Sequence, residues 1–131
     1  MSMSDERRVS AITLWVSDLE ASAAFYREVV GIPVEHSDPH EPENLEHYEL
    51  MWGEWGEKGP VEPYLWFDLF PAQGTVTRGV RLGLSVPSIE EAQARASERG
   101  VTIVSGPTQV PWGRELLIED PDGNLVALTS V

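Results

Sequence analysis

Apolar and polar residues alternate from Val9 to Val16. Ile12, Leu14 and Val16 fall on one side and Ala11, Thr13 and Trp15 on the other, which is the period of a strand with two distinct faces. The rhythm then lengthens. Ser17-Asp18-Leu19-Glu20 reads as a capping box, with Ser17 at the N-cap and Glu20 reaching back to it. Leu19, Ala23, Tyr26 and Val30 follow at helical spacing, and Gly31 stands where a C′ glycine would end the helix.

The same order returns 70 residues later, where Leu14, Val16, Glu20, Ala24, Glu28 and Val34 match Leu84, Val86, Glu90, Ala94, Glu98 and Val104. The second helix has its own capping box, Ser88 with Glu91, and its own stop at Gly100. Matched strands, caps and stops point to an internal duplication.

Further strands follow in each half. Ile32–Glu35 leads into a polar loop, 37–46, and Tyr48–Trp52 and Tyr64–Phe70 read as a strand pair joined by the glycine-bearing segment 53–63. Thr102–Val104, Glu115–Glu119 and Leu125–Thr129 are the strands of the second half. Between the last two, Asp120-Pro121-Asp122-Gly123-Asn124 has the chemistry of a tight turn, with a preset φ, local aspartate bonds and a glycine for φ > 0. The expected organisation is one α+β domain: a first module at about 9–70, a linker over 71–78 and a second module over 79–131.

Charge narrows the partners. The chain of 131 residues carries 22 acidic and 9 basic side chains, a formal net charge of -13. Such a field repels phosphate backbones and anionic lipid, so neither nucleic acid nor membrane is expected as a partner. It favours cations, although it also serves solubility. The absence of cysteine excludes disulfides, thiolate metal sites and a thiol nucleophile. The start, Met1 to Arg8, is polar and charged and does not read as a signal peptide, and no run reaches the roughly 20 apolar residues of a membrane span. The expected location is the cytoplasm. No Gly-x-Ser-x-Gly elbow, phosphate-cradling loop or dinucleotide fingerprint is present, so nucleophilic catalysis has no evident agent. His36, His40 and His47 share one acidic stretch, but spacings of four and seven match no metal motif, and they read as a solvated loop.

Val16-Ser17-Asp18-Leu19-Glu20 with Ser22 and Phe25-Tyr26, then Trp112-Gly113 and Asp120-Pro121-Asp122-Gly123-Asn124, give the chain a resemblance to the glyoxalase, bleomycin-resistance and extradiol-dioxygenase superfamily. The resemblance spans Val9 to Val131. It implies two βαβββ modules forming an open, cup-shaped mixed sheet with helices outside, around a ligand cavity. Catalytic members of that superfamily hold a divalent metal there with histidine, glutamine or glutamate from strands of both modules. Carried onto this chain, those positions fall on Ala11, Arg81 and Ala127, with only Asp68 keeping a carboxylate. The resemblance therefore implies no metal and no cofactor, because a protein metal site needs at least three ligands.

Alternation assigns the cup's lining. With Leu14, Phe67, Leu69, Leu82 and Leu84 turned to the helices, Thr13, Trp15, Tyr64, Trp66, Asp68, Phe70 and Arg81 face inward. Trp52 and Trp112, two more of the five tryptophans, are expected to join them, and Arg81 is expected to pair with Asp68. The candidate ligand-binding set is thus Trp15, Trp52, Trp66, Asp68, Phe70, Arg81 and Trp112, an aromatic cavity with a few charges suited to flat or cationic molecules. The expectation is metal-independent small-molecule binding by a homodimer whose partner completes the cups, as in antibiotic-sequestering proteins of the bleomycin-resistance branch, with no catalytic residue. The alternatives are a lyase or dioxygenase with an atypical metal set, drawn from Asp68, Glu115 or Glu119 and the loop histidines, and a metal-free enzyme using Arg81 and Asp68.

Overall fold

The computed structural model describes residues 7–130; the charged start before Arg7, read above as lacking a signal peptide, and Val131 lie outside the described residues. The first half builds β1 (Ala11–Val16), α1 (Leu19–Ala24, continued by a π-helical segment over Phe25–Val30), β2 (Glu35–Ser37), β3 (His47–Gly56) and β4 (Gly59–Pro71). The second builds β5 (Arg81–Ser85), α2 (Ile89–Glu98), β6 (Ile103–Val110), β7 (Gly113–Glu119) and β8 (Leu125–Ser130).

Both sheets follow one path. Their strand orders are β1-β4-β3-β2 and β5-β8-β7-β6, with β1 parallel to β4, β5 parallel to β8 and every other pair antiparallel. This is the expected α+β architecture, but the halves keep separate four-stranded sheets instead of sharing one. The helices join them. Leu14, Val16, Phe67 and Leu69 of the first sheet and Leu82, Leu116, Ile118 and Leu128 of the second share a core with Tyr26, Val29, Ile89 and Ala92. Helix α2 packs on the π-helical segment, and Arg95 Nε donates to the Val29 carbonyl at 3.0 Å. Each fully buried Leu, Val or Phe in that layer contributes about 1.5–3 kcal/mol.

The first helix start departs from the expected capping box. Asp18, not Ser17, is the N-cap, its Oδ1 accepting from the Ala21 amide at 3.0 Å. Ser17 is drawn elsewhere: its amide donates to Asp122 at 3.1 Å, and its hydroxyl also bonds Asp122. Glu20 does not reach back but accepts from the Tyr48 hydroxyl at 2.8 Å. The other signals hold. Gly31 ends the helix at φ 91°, and Ser88 Oγ accepts from the Glu91 amide at 3.2 Å.

Residues 53–63, expected to connect two strands, are mostly strand themselves. Strands β3 and β4 stay paired out to Gly56 and Gly59, with a bulge after Trp52, and only Glu57-Lys58 turns. The glycines and prolines there suggest a loop, but a bulged hairpin accommodates them.

The turn Asp120–Asn124 does more than reverse the chain. Asp120 Oδ2 accepts from the Tyr26 hydroxyl at 2.8 Å, and Oδ1 accepts from the amides of Asp122 and Asn124, each at 2.9 Å. Asn124 Nδ2 donates to the Thr77 carbonyl at 3.0 Å, and Thr77 exchanges two 2.8 Å bonds with the backbone of Trp15. Burial, reinforced by the Asp120 carboxylate, pushes the Tyr26 hydroxyl far above its usual pKa, so it remains a donor. This buried polar seam fastens the second half to the first.

Candidate functional site

A cavity of about 520 Å³ opens on the face of the first sheet turned away from the helices. That volume is typical of small-molecule sites. Strand β1 supplies Thr13 and Trp15, β4 supplies Trp66, Asp68 and Phe70, and β3 supplies His47, Glu49 and Trp55. The loop between β2 and β3 adds His40 and Glu43. The pleat places these side chains together: Thr13 lies beside Asp68, Trp15 beside Phe70, and Glu49 beside Asp68 across their ladders.

The walls are aromatic. Trp15 and Phe70 have ring centroids 5.2 Å apart, and Trp55 meets Trp66 nearly edge-on at 6.3 Å. His47 stacks on Phe70 at 4.4 Å with an interplanar angle of 12°. The remaining wall is acidic. Burial, followed by the neighbouring Glu49 carboxylate, pushes the Asp68 pKa up to about 6, and His47 offsets part of that rise. Two carboxylates sharing a half-buried space favour any cation placed between them.

Four of the seven candidate residues, Trp15, Trp66, Asp68 and Phe70, line this one cavity, on the face that alternation assigned them. Three do not. Trp52 lies opposite Leu65 on the other face of the sheet, where both border a separate groove. It shares the parity of Tyr48 and Leu50, so a cup position was the wrong reading of the alternation. Trp112 sits in the β6–β7 turn, 61% exposed, away from the cavity. Arg81 does not pair with Asp68; it stands on the second sheet, with its Nη2 3.4 Å from both oxygens of Glu115.

His47, Glu49 and Trp55 were missed. The same parity that buries Tyr48 puts His47 and Glu49 on the cavity face, so the signal was present in the sequence. Nor is His47 part of a solvated loop: it opens β3 and is 2% exposed.

The positions at which the resemblance implies a metal do not fit one. Ala11 and Ala127 have no donor atom, and Arg81 is a cation already paired with Glu115. A different set of donors meets within the cavity: ligand atoms of His40, His47 and Glu49 lie within 4.8 Å of one another. His36, Asp38 and Glu46 form a similar cluster, but all three are exposed. Among the described residues, no helix is long and apolar enough to cross a membrane.

The geometry has close counterparts. TnmS3, an antibiotic binding protein from Streptomyces sp. CB03234, superposes with a TM-score of 0.67 at 27% identity, covering 98% of each chain. A member of the glyoxalase/bleomycin resistance protein/dioxygenase superfamily from Sphaerobacter thermophilus DSM 20745 gives a TM-score of 0.65 at 26% identity, covering 95% of this chain and 98% of its own. YetH, an uncharacterized protein of Bacillus subtilis (strain 168), is 21% identical over 122 residues, covering 93% of this chain and 97% of YetH. The profile of the superfamily itself matches residues 8–128, and the chain belongs to the Glyoxalase/Bleomycin resistance protein/Dioxygenase superfamily.

Proposed function

We propose that this protein binds a planar, positively charged small molecule in the cavity of its first half and sequesters it without breaking a bond. The observation that carries this reading is the convergence of Trp15, Trp66 and Phe70 with the carboxylates of Glu43, Glu49 and Asp68 around one opening. Flat aromatic walls hold a ring by stacking and attract a cation to their π faces, and the carboxylates add charge complementarity. The net charge of -13 draws such a ligand in. The likeness to an antibiotic binding protein supports the class of activity. Binding of this kind needs no metal at the superfamily's usual positions.

The second sheet exposes Arg81, Gly83 and Ser85 on one face, and the last two border a groove with Trp52 and Leu65. In the proposed homodimer, that face of one protomer covers the cavity of the other, as an isologous contact allows.

Titration of the protein with planar organic cations and uncharged planar controls, followed by tryptophan quenching, tests the proposal. Micromolar binding of cations is expected, weakened about tenfold or more by Trp66→Ala and unchanged by Trp112→Ala. Equal affinity for the uncharged controls, or binding that survives Trp66→Ala, would overturn it.

A further inference from the structure

Within the cavity, the hydrogen bonds of the two histidines carry information about their tautomers. His47 Nδ1 lies 2.9 Å from the Leu45 carbonyl oxygen. A carbonyl only accepts, so Nδ1 carries a proton and Nε2 is the ring atom turned toward the site. Nε2 lies 3.2 Å from Glu49 Oε2. His40 repeats the arrangement: its Nδ1 is 2.9 Å from the Glu41 carbonyl oxygen, which leaves Nε2 as its free donor atom.

Two imidazoles held at Nδ1 by backbone carbonyls, with a carboxylate beside them, are the environment of metal-ligating histidine, where the outer hydrogen bond fixes the ring. The His47 ring is 2% exposed, and its Nε2 and the Glu49 carboxylate face each other at 3.2 Å. The spacing suits two ligands of one ion, since donors about 2.0–2.1 Å from a metal sit roughly 3 Å apart. The rings are also held in place. His47 is clamped on Phe70, and His40 lies edge-on to His47 with centroids 4.9 Å apart.

We propose that His40, His47 and Glu49 bind one divalent transition-metal ion of the zinc, nickel or copper(II) type, at a place in the fold different from Ala11, Arg81 and Ala127. Imidazole with carboxylate selects these ions over calcium or magnesium, which prefer all-oxygen sites. Three protein ligands leave coordination positions open toward the cavity. Asp68, beside Glu49 in the ladder, supplies a second negative charge next to the ion. Because Glu49 and Asp68 also face the space proposed for an organic cation, the two occupants exclude each other.

Calorimetric titration of the untagged, chelator-stripped full chain with zinc, nickel and copper(II) tests the site. One ion per chain at about micromolar affinity or tighter is expected. His47 is buried and its replacement risks the fold, so the exposed His40 and the partly exposed Glu49 carry the test. His40→Ala and Glu49→Gln are expected to weaken binding about 10–100-fold, and His36→Ala to leave it unchanged. On zinc addition, nitrogen NMR of the histidine rings should move the Nε2 signals of His40 and His47 and spare those of His36. The inference is overturned by no binding below about millimolar metal, by full affinity in both His40→Ala and Glu49→Gln, or by loss of binding in His36→Ala alone. The titration uses metal alone, so its outcome is independent of whether an organic cation binds.

Discussion

The two halves share a fold and almost nothing of their open faces. Matching the ladders pairs Leu14 with Leu84, Phe67 with Val126, Leu69 with Leu128, Tyr48 with Leu116 and Leu50 with Ile118, all apolar and all turned to the helices. On the opposite face, the same matching sets Trp15 against Ser85, Trp66 against Leu125, Asp68 against Ala127, Phe70 against Thr129 and Glu49 against Leu117. One face had to stay apolar in both copies to keep the shared core. The other was free to specialise, and on the first copy it became an aromatic and acidic cavity.

The largest effect is expected where the halves are fastened. Asp120→Ala leaves the Tyr26 hydroxyl and two amides without their acceptor, and should cost about 3 kcal/mol, a fall of about 10 °C in melting temperature by scanning calorimetry. Asp120→Asn keeps one acceptor oxygen and should recover part of the loss. A change under about 2 °C in the alanine variant would mean that the core alone holds the halves together.

Next comes the comparison of open faces. Trp15→Ser gives the first half the residue of the second, and is expected to lower affinity for a planar cation about tenfold, read by fluorescence titration. The reverse change, Ser85→Trp, should create no second site, because Leu125, Ala127 and Thr129 offer no charge and the neighbouring Glu115 is already paired with Arg81. Stoichiometric binding at a new site would break the comparison.

The smallest effect concerns Asp68. Its raised pKa means that the folded state keeps a proton between about pH 4 and 6 that the unfolded chain has lost. Stability from this group therefore declines as pH rises through that window and stays lower above it. In chelator-stripped, ligand-free protein, Asp68→Asn should raise the melting temperature by roughly 2 °C at pH 7.5, after discounting for solvent at a half-buried site, and by nothing at pH 4. A loss of stability at pH 7.5 would show that the carboxylate is satisfied there.

The fold was legible wherever a position had to be apolar for packing. Strand alternation, the Ser88 cap and the Gly31 stop all record burial or backbone demands that act locally. The site was legible as far as alternation reaches, which is why Trp15, Trp66, Asp68 and Phe70 fell together. It failed for Trp112 and Arg81, whose neighbours depend on how the two sheets are placed, and no local period encodes that. His47 was lost differently: prolines and acids before it resemble a loop, while its role depends on the Leu45 carbonyl and on Phe70 beneath it. Ser17 is a similar case, because a hydroxyl suited to a local cap was taken by Asp122, 105 residues away.

That long-range bond bears on the molecule's ancestry. A freshly duplicated gene yields two interchangeable copies, and either can be swapped for the other. With Asp120, Asp122 and Asn124 of the second half bound to Tyr26, Ser17 and Thr77, each side holds only one part of a joint. Homologous exchange between the repeats would then strip both sides at once. A chimaera built from such a chain must inherit both edges of the seam together.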